Sequence, residues 1–505
     1  MRTRLLQILP WLIVGVGLIL RLPLINGSFW LDEAAQALES SRPINQQFQI
    51  VEDFQPPLLH LILHVAQYVS HHEWWLRSVG ALLPGLATIL ATYFIGVGLG
   101  GRKLGVIASL LLATSSFHIF YSQELRPYAL PALLATLSWL RILRPQVRSH
   151  QFDWPLAAVT FLGIFSSYLY PFALLSQAMY IFISRRSQVK GFFMSVAAAA
   201  FGFLPWMPFF LGQLAQGGKV QALLPGWSEI VGVPQIKSLP LVVLKFVFGV
   251  LNVEPTPIFL TLTAVIVLSI SVCLYRIYTY HKPSKTQHHY QQIFNILGWW
   301  ILFPILTAWL ISFLIPILQP KRVLFTLPAW YLGIASLYLF AENSKQKILP
   351  WIGRGLIGAV VLGNLWSTSA YFTDAQLQRE NWRDAYHAVT TQYPPDVSLA
   401  VFAFPQPFAS WRWYDKLAYP SLSTKSLQVM DESSAQKLLT PILTNGAQYI
   451  IIFDYLRDIT DPNRTLEAVL NSLGYTERQV MEYPNIGFIR IFSKVEAATA
   501  YEYRN

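Results

Sequence analysis

The stretch Ser28-Phe29-Trp30-Leu31-Asp32-Glu33-Ala34-Ala35 follows closely on an apolar run at 5–24, and Asp53-Phe54-Gln55-Pro56-Pro57-Leu58-Leu59-His60 lies further along the same loop. Acidic side chains are scarce, with 26 Asp and Glu in 505 residues of which 54% are hydrophobic. An Asp-Glu pair behind a Phe-Trp interface marker, just past a membrane helix, is costly to keep and so marks a place where charge is used. The rest of the chain reads as a scaffold that holds this loop at a membrane surface.

With 14% aromatic and only 12% charged residues, the composition lies outside the soluble globular class. Repeated apolar runs of about 15–25 residues, separated by short basic or Pro/Gly-containing connections, indicate a polytopic membrane protein. The net charge of +11 sits mostly in membrane-flanking loops. That is the positive-inside pattern, and it argues against a nucleic-acid partner. The single cysteine, Cys273, allows no internal disulfide. Arg2 and Arg4 before a long apolar core, with no small-x-small cleavage site, predict an uncleaved first helix.

Charge asymmetry orders the crossings. Basic clusters at Arg2/Arg4, Arg102/Lys103, Arg141/Arg144/Arg148, Arg185/Arg186/Lys190, Arg276/Lys282/Lys285 and Lys345/Lys347 are assigned to the cytoplasmic side. Spans then fall at 5–24, 76–99, 104–119, 127–143, 192–211, 257–277, 293–315, 323–340 and 349–371. Residues 154–184 are too long for one span, and two short helices meeting near Tyr170-Pro171 are predicted. The apolar stretch 239–251 is too short to cross and is expected to be re-entrant or interfacial. The result is about eleven transmembrane helices, N-terminus inside and C-terminus outside. The external loop 26–75 should carry short interfacial helices. Residues 1–372 form the expected transmembrane domain. In 373–505, helix patterns at 382–392, 434–443 and 464–473 alternate with strand-like runs at 397–404, 447–453 and 487–493. That alternation predicts a small C-terminal α/β domain on the outer face.

Polar residues unusual for their surroundings fall in three external loops: Asp32-Glu33 with Asp53 and Gln55; Ser122-Gln123-Glu124-Leu125-Arg126-Pro127-Tyr128; and Gln319-Pro320-Lys321-Arg322, a basic pair that breaks the positive-inside trend. Acids and bases on one membrane face suggest a composite site at the outer interface, whereas a transporter would more typically carry ionisable groups near the bilayer midplane.

In order and topology these motifs resemble the bacterial GT-C glycosyltransferases over roughly residues 1–370. The match is to the family 39-like relatives of the protein mannosyltransferases and the aminoarabinose transferase. Asn381-Trp382-Arg383-Asp384-Ala385 also resembles the start of the outer domain in some members. The resemblance implies a sugar taken from a polyprenyl-phosphate carrier with inversion at the anomeric centre, on the outer face of a bacterial inner membrane. Asp32 would be the general base on an acceptor hydroxyl or amine, and Arg126, Lys321 and Arg322 would stabilise the leaving phosphate. Gln123, Glu124 and Tyr128 belong to the same donor-binding loop.

Adjacent helical residues diverge by about 100°, so Asp32 and Glu33 cannot both face one reacting centre. Asp32 is favoured, and the choice between them stays open. Other readings stand beside these. Arg126 pairs with Glu124 and pins a loop; Lys321 and Arg322 snorkel to headgroups; Asp53 caps the helix starting at Pro56-Pro57. Trp382 and Arg383 either dock the outer domain or touch substrate. Many relatives have His where this chain has Gln55, which weakens a metal or phosphate role there. His60 and His64 have metal-ligand spacing but no evident third ligand, so a divalent metal is open and unsupported. The partners implied are the lipid-linked donor and membrane lipids, with acceptor and sugar undetermined. A flippase of lipid-linked sugars is the alternative function.

Overall fold

The computed structural model describes residues 2–49, 54–144, 151–223, 235–252, 254–279, 285–315, 317–405, 408–424 and 429–494. The chain divides into two units: Met1–Asn26 with Pro43–Leu211 and Val233–Leu377, and Gly27–Arg42 with Gly212–Gly232 and Gln378–Asn505.

The first unit is a bundle of apolar helices with polar side chains turned inward. Trp11, Ile19, Leu268, Leu310 and Leu362 are exposed, while Thr88, Thr92, Ser109, Thr136, Ser138 and Gln177 are buried. This inside-out pattern suits a bundle whose solvent is lipid. These buried hydroxyls bond carbonyls three or four residues back, as Thr92 Oγ1 does to Thr88 O at 2.7 Å, Ser109 Oγ to Gly105 O at 2.6 Å and Ser138 Oγ to Ala135 O at 2.9 Å. Gln177 Nε2 donates to Ser138 Oγ at 2.6 Å.

Among the described residues five helical stretches are long and apolar enough to cross a membrane: Glu73–Ala113, Arg186–Ala215, Pro257–Tyr278, Lys285–Ile311 and Pro320–Glu342. Shorter apolar helices are Ile8–Ile19, Leu58–Gln67, Ala129–Leu143, Trp154–Ser166 and Tyr170–Ser184. The first long stretch is a folded-back pair. Its helical geometry breaks at Gly100 and at Gly101, whose φ of +81° few L side chains adopt. A Cβ on Gly96 would lie 2.6 Å from Gly105 Cα, so the two arms touch backbone to backbone. The apolar runs at 76–99 and 104–119 are therefore two arms of one hairpin, and the second arm ends at Ala113 before a short Ser116–Tyr121 helix.

Residues 154–184 form two short helices, each with Pro in its first turn, as the basic flanks implied. Residues 239–248 of the 239–251 stretch lie in a 14-residue helix, Gln235–Phe248. The first helix stops at Ile19, short of the expected 24, because Arg21 leaves the helix and Pro23 cannot continue it.

In the second unit a five-stranded sheet has the order β2-β1-β3-β5-β4. β1 (Ser398–Pro405) pairs in parallel with β2 (Ser421–Thr424) and β3 (Tyr449–Phe453). β5 (Gly487–Lys494) joins β3 antiparallel, and β4 (Tyr475–Tyr483) closes the edge. Alternation sorts the parallel strands into two cores. Ala400, Phe402, Ile451 and Phe453 meet Trp382, Tyr386 and Trp411 on one face. Val401, Ala403, Ile450 and Ile452 meet Ala435, Leu439, Leu466 and Leu470 on the other. Helices Trp382–Gln392 and Ala409–Tyr414 therefore cover one face, and Glu432–Asn445 and Thr465–Ser472 the other.

Candidate active site

The Asp32-Glu33 pair lies in the first turn of the Leu31–Ser40 helix, within the second unit. Carboxylates there suit the helix dipole. Trp30, at the N-cap, is extended and offers no side-chain cap. The leading N–H, that of Leu31, donates instead to Glu380 Oε2 at 3.3 Å. Phe29 is fully buried, packs tilted against Trp413 with ring centres 5.3 Å apart and donates its N–H to Tyr414 Oη at 2.7 Å. Ser28 Oγ donates to the same oxygen at 3.1 Å and accepts the Arg383 N–H at 3.0 Å.

The two acids have different surroundings. Glu33 is fully buried, its Oε2 lying 3.7 Å from Arg379 Nε. Asp32 is half-buried. Behind them, Glu380 accepts Tyr455 Oη–H at 2.7 Å on one oxygen and Trp382 Nε1–H at 2.6 Å on the oxygen that also holds Leu31. Burial, with the Asp32 charge adding to it, raises the Glu380 carboxyl to about 7 against the pull of those three donors. Burial and the Glu380 charge push the Tyr455 phenol well above its usual value. Sequence reasoning passed over Glu380. The available signal was an acid directly ahead of the Asn381-Trp382-Arg383 motif. Trp382 itself is a core residue with no exposed surface, and Arg383 lies over the Tyr414 ring at 6.0 Å.

The other polar clusters belong to the first unit. The Gln123 amide is fully buried and tethers three strands of chain. It donates to Arg21 O at 2.8 Å and to Pro23 O, and accepts Tyr371 Oη–H at 3.1 Å. The Arg21 guanidinium, also buried, caps two helix ends through Gly17 O (2.8 Å) and Ala113 O (2.9 Å) and meets His118 Nδ1 at 2.6 Å. Beyond Gln123 the chain turns tightly. Arg126 N–H bonds Glu124 O at 2.8 Å, and Tyr128 N–H bonds Arg126 O at 2.7 Å. Glu124 is buried, and Arg126 and Tyr128 are half-buried.

The second and third polar loops meet. Lys321 Nζ stands 5.5 Å from the centre of the Tyr128 ring, which also packs edge-on against Tyr121 at 5.3 Å. Lys321 and Arg322 open a Pro320–Thr326 turn of 3₁₀ helix, where Arg322 Nη1 donates to Ile317 O at 3.3 Å. His60 is buried and Gln55 half-buried. His64 Nε2 pairs with Tyr68 Oη at 3.1 Å. A Cβ on Gly80, inside the π-helical Ser78–Leu82 segment, would meet Leu125, Leu59 and Leu63, so the His60 helix and the Glu124 loop close on the same glycine. Asp53 lies outside the described residues. Among the described residues no three His, Cys, Asp or Glu side chains gather into a metal-ligand set.

Apolar helices in one unit and a small α/β sheet in the other make a fold that solved proteins of low sequence identity share. Among solved structures, the chain is similar to ArnT from Cupriavidus metallidurans in the apo state, with a TM-score of 0.52, 12% identity and 95% of this chain covering 97% of that one. ArnT bound to undecaprenyl phosphate gives the same values. The apo oligosaccharyltransferase of Archaeoglobus fulgidus is similar at a TM-score of 0.54 and 11% identity, over 96% of this chain and 74% of that one. At such identities the likeness speaks for the fold. No family model matches the chain, and no curated protein matches it.

Proposed function

We propose that the protein is an integral membrane glycosyltransferase that moves a sugar from a polyprenyl-phosphate donor to an acceptor. The observation that carries this reading is the GT-C fold shared along nearly the full length of both chains with ArnT, a protein solved with undecaprenyl phosphate bound. The polar groups suit such chemistry. Lys321 and Arg322 beside Tyr128, with Arg126 in the adjoining turn, supply cations to a phosphate whose charge grows as the glycosidic bond breaks. Asp32 takes the proton of the acceptor as it attacks the anomeric carbon from the face opposite the phosphate, and the centre inverts. Asp32 is preferred to Glu33 because Glu33 is fully buried against Arg379, whereas Asp32 keeps solvent-exposed surface. The chain is read with its N-terminus cytoplasmic and residues 373–505 on the outer face of a bacterial inner membrane.

The test uses purified full-length protein with polyprenyl-phosphate sugars of several kinds, following release of polyprenyl phosphate. Wild type releases it in the presence of a membrane extract that supplies acceptor, and Asp32→Ala does not. Full activity of Asp32→Ala removes the role given to that residue. Movement of the intact lipid-sugar across a bilayer without bond cleavage removes the transferase reading.

A further inference from the structure

The chain passes from β1 to its neighbour β2 on one side and then crosses from β2 to β3 on the other side of β1. The helix after β1, Ala409–Tyr414, lies on one face and leads to β2; the helix after β2, Glu432–Asn445, lies on the other and leads to β3. In doubly wound sheets the crevice at the carboxyl ends of two such strands is where ligands are held. Here Phe408 follows β1 and Tyr455 follows β3, and their rings are 6.0 Å apart. Trp382 stands 5.0 Å from Phe408 and 5.2 Å from Tyr455. Into this corner comes the chain's own Leu31–Ser40 helix. Leu31 packs on the same aromatic core, the helix lies against Ala409–Tyr414, and the Leu31 N–H ends on Glu380.

We infer that Glu380 is a positioning residue for Asp32: its carboxyl, held by Tyr455 and Trp382 at the switch point of the sheet, fixes the first turn of the helix that carries the base. The assignment of a base to be positioned rests on the reading of Asp32 given above. The geometry that anchors the helix does not. One carboxylate oxygen takes both Leu31 N–H and Trp382 Nε1–H while the other takes Tyr455 Oη–H, so the carboxyl is clamped in one orientation and the helix start with it. The charged and titratable groups facing it are Asp32 on the helix and Tyr455 after β3, with the Glu33–Arg379 pair and Arg383 on the flanking chain. Because Glu380 titrates at about 7, its hold on Leu31 strengthens as pH rises through that value and the carboxylate becomes a full acceptor.

The test uses the full chain in lipid nanodiscs. Two quantities are followed on both sides of pH 7: hydrogen exchange of the peptide around residues 29–36, corrected for intrinsic rates, and consumption of the polyprenyl-phosphate sugar extracted from cells lacking the protein. Glu380→Leu is expected to speed exchange there and to lower kcat roughly tenfold to a hundredfold, with KM for the donor unchanged within about twofold. Glu380→Gln can accept Leu31 and Trp382 on its oxygen and donate to Tyr455, so it should keep slow exchange but lose the wild-type step near pH 7. Wild-type exchange and kcat in the Leu variant, or a surviving step in the Gln variant, overturns the inference. Should the Leu variant fail to fold, the Gln variant decides. Asp32→Asn run alongside separates the two claims. If it consumes donor at the wild-type rate, the reading of the base falls, and the exchange step still reports whether Glu380 anchors the helix.

Discussion

The acidic helix and the basic loops are held by different physics. In the α/β unit, Leu31–Ser40 begins on side chains: a carboxylate, a phenol, an indole and the Glu33–Arg379 pair. In the helical unit, carbonyls of Arg21, Pro23, Glu124 and Arg126 accept hydrogen bonds that help hold the Gln123–Tyr128 turn. Main-chain acceptors do not titrate, whereas the Glu380 carboxyl that anchors the first arrangement does. The proposed phosphate site would need fixed cations at every pH, which Lys and Arg supply. The proposed base, Asp32, lies in the unit that also holds the Glu380 carboxyl.

The largest expected difference is in the kinetic signature of the two regions. Asp32→Asn should lower kcat by roughly 10²–10⁴ with little change in donor KM, as for loss of a general base. Lys321→Ala and Arg322→Ala should act mostly on donor binding, each raising KM by roughly tenfold to a hundredfold, since a charged hydrogen bond contributes about 1.5–3 kcal/mol. Steady-state kinetics with one polyprenyl-phosphate sugar separates them. A KM effect from Asp32→Asn, or a pure kcat effect from the Lys and Arg variants, would break the comparison.

Gly105→Ala probes the scaffold. The new Cβ would stand 2.6 Å from the carbonyl oxygen of Tyr93, with backbone on both sides of the hairpin, so the arms must part. A loss of about 1–3 kcal/mol is expected, read as a lower melting temperature in detergent. Gln123→Leu removes the amide that satisfies two carbonyls and leaves the Tyr371 hydroxyl without its acceptor, at about 1–3 kcal/mol. Its loss should be the same at pH 5 and pH 8 by chemical denaturation.

A pH-dependent effect bears on the difference between the two units. Glu380 has its folded value raised from 4.5 to about 7, so the native α/β unit binds the proton more tightly than the unfolded chain. Stability of that unit is then highest below about 4.5, where both states are protonated. It falls as pH rises to about 7, by at most about 1.4 kcal/mol per pH unit, and is level above that. Glu380→Gln should flatten this slope, measured by denaturant unfolding followed on the Trp382 and Trp411 fluorescence. An unchanged slope would place the titrating group elsewhere.

How much of this was legible follows from what each residue reports. Basic loops and apolar runs carry the topology, and Pro171 splits residues 154–184 into two helices because it has no N–H to continue one. The strands at β1, β3 and β5 are read from their buried apolar runs. β2 and β4 escaped because they are sheet edges: β2 has four residues, and Thr476 to Val480 of β4 face solvent as Thr, Glu, Arg, Gln and Val with no alternation. The folded-back arms at Gly96 and Gly105 were also invisible, since two glycines nine positions apart show no contact until Gly101 turns the chain. Asp32 was legible as a rare charge in an apolar context. Glu380 was not, because it lies in a soluble-looking segment where acids are ordinary, and its importance comes from long-range burial against Trp382 and Tyr455.

The proposed reaction consumes a lipid-linked sugar with Asp32 in the chemistry. Mass spectrometry of lipid extracts from cells with and without the protein tests it most directly. A polyprenyl-phosphate sugar should accumulate on deletion and return to its normal level with wild type but not with Asp32→Asn. An unchanged lipid profile, together with an Asp32→Asn variant that complements the deletion, would contradict it.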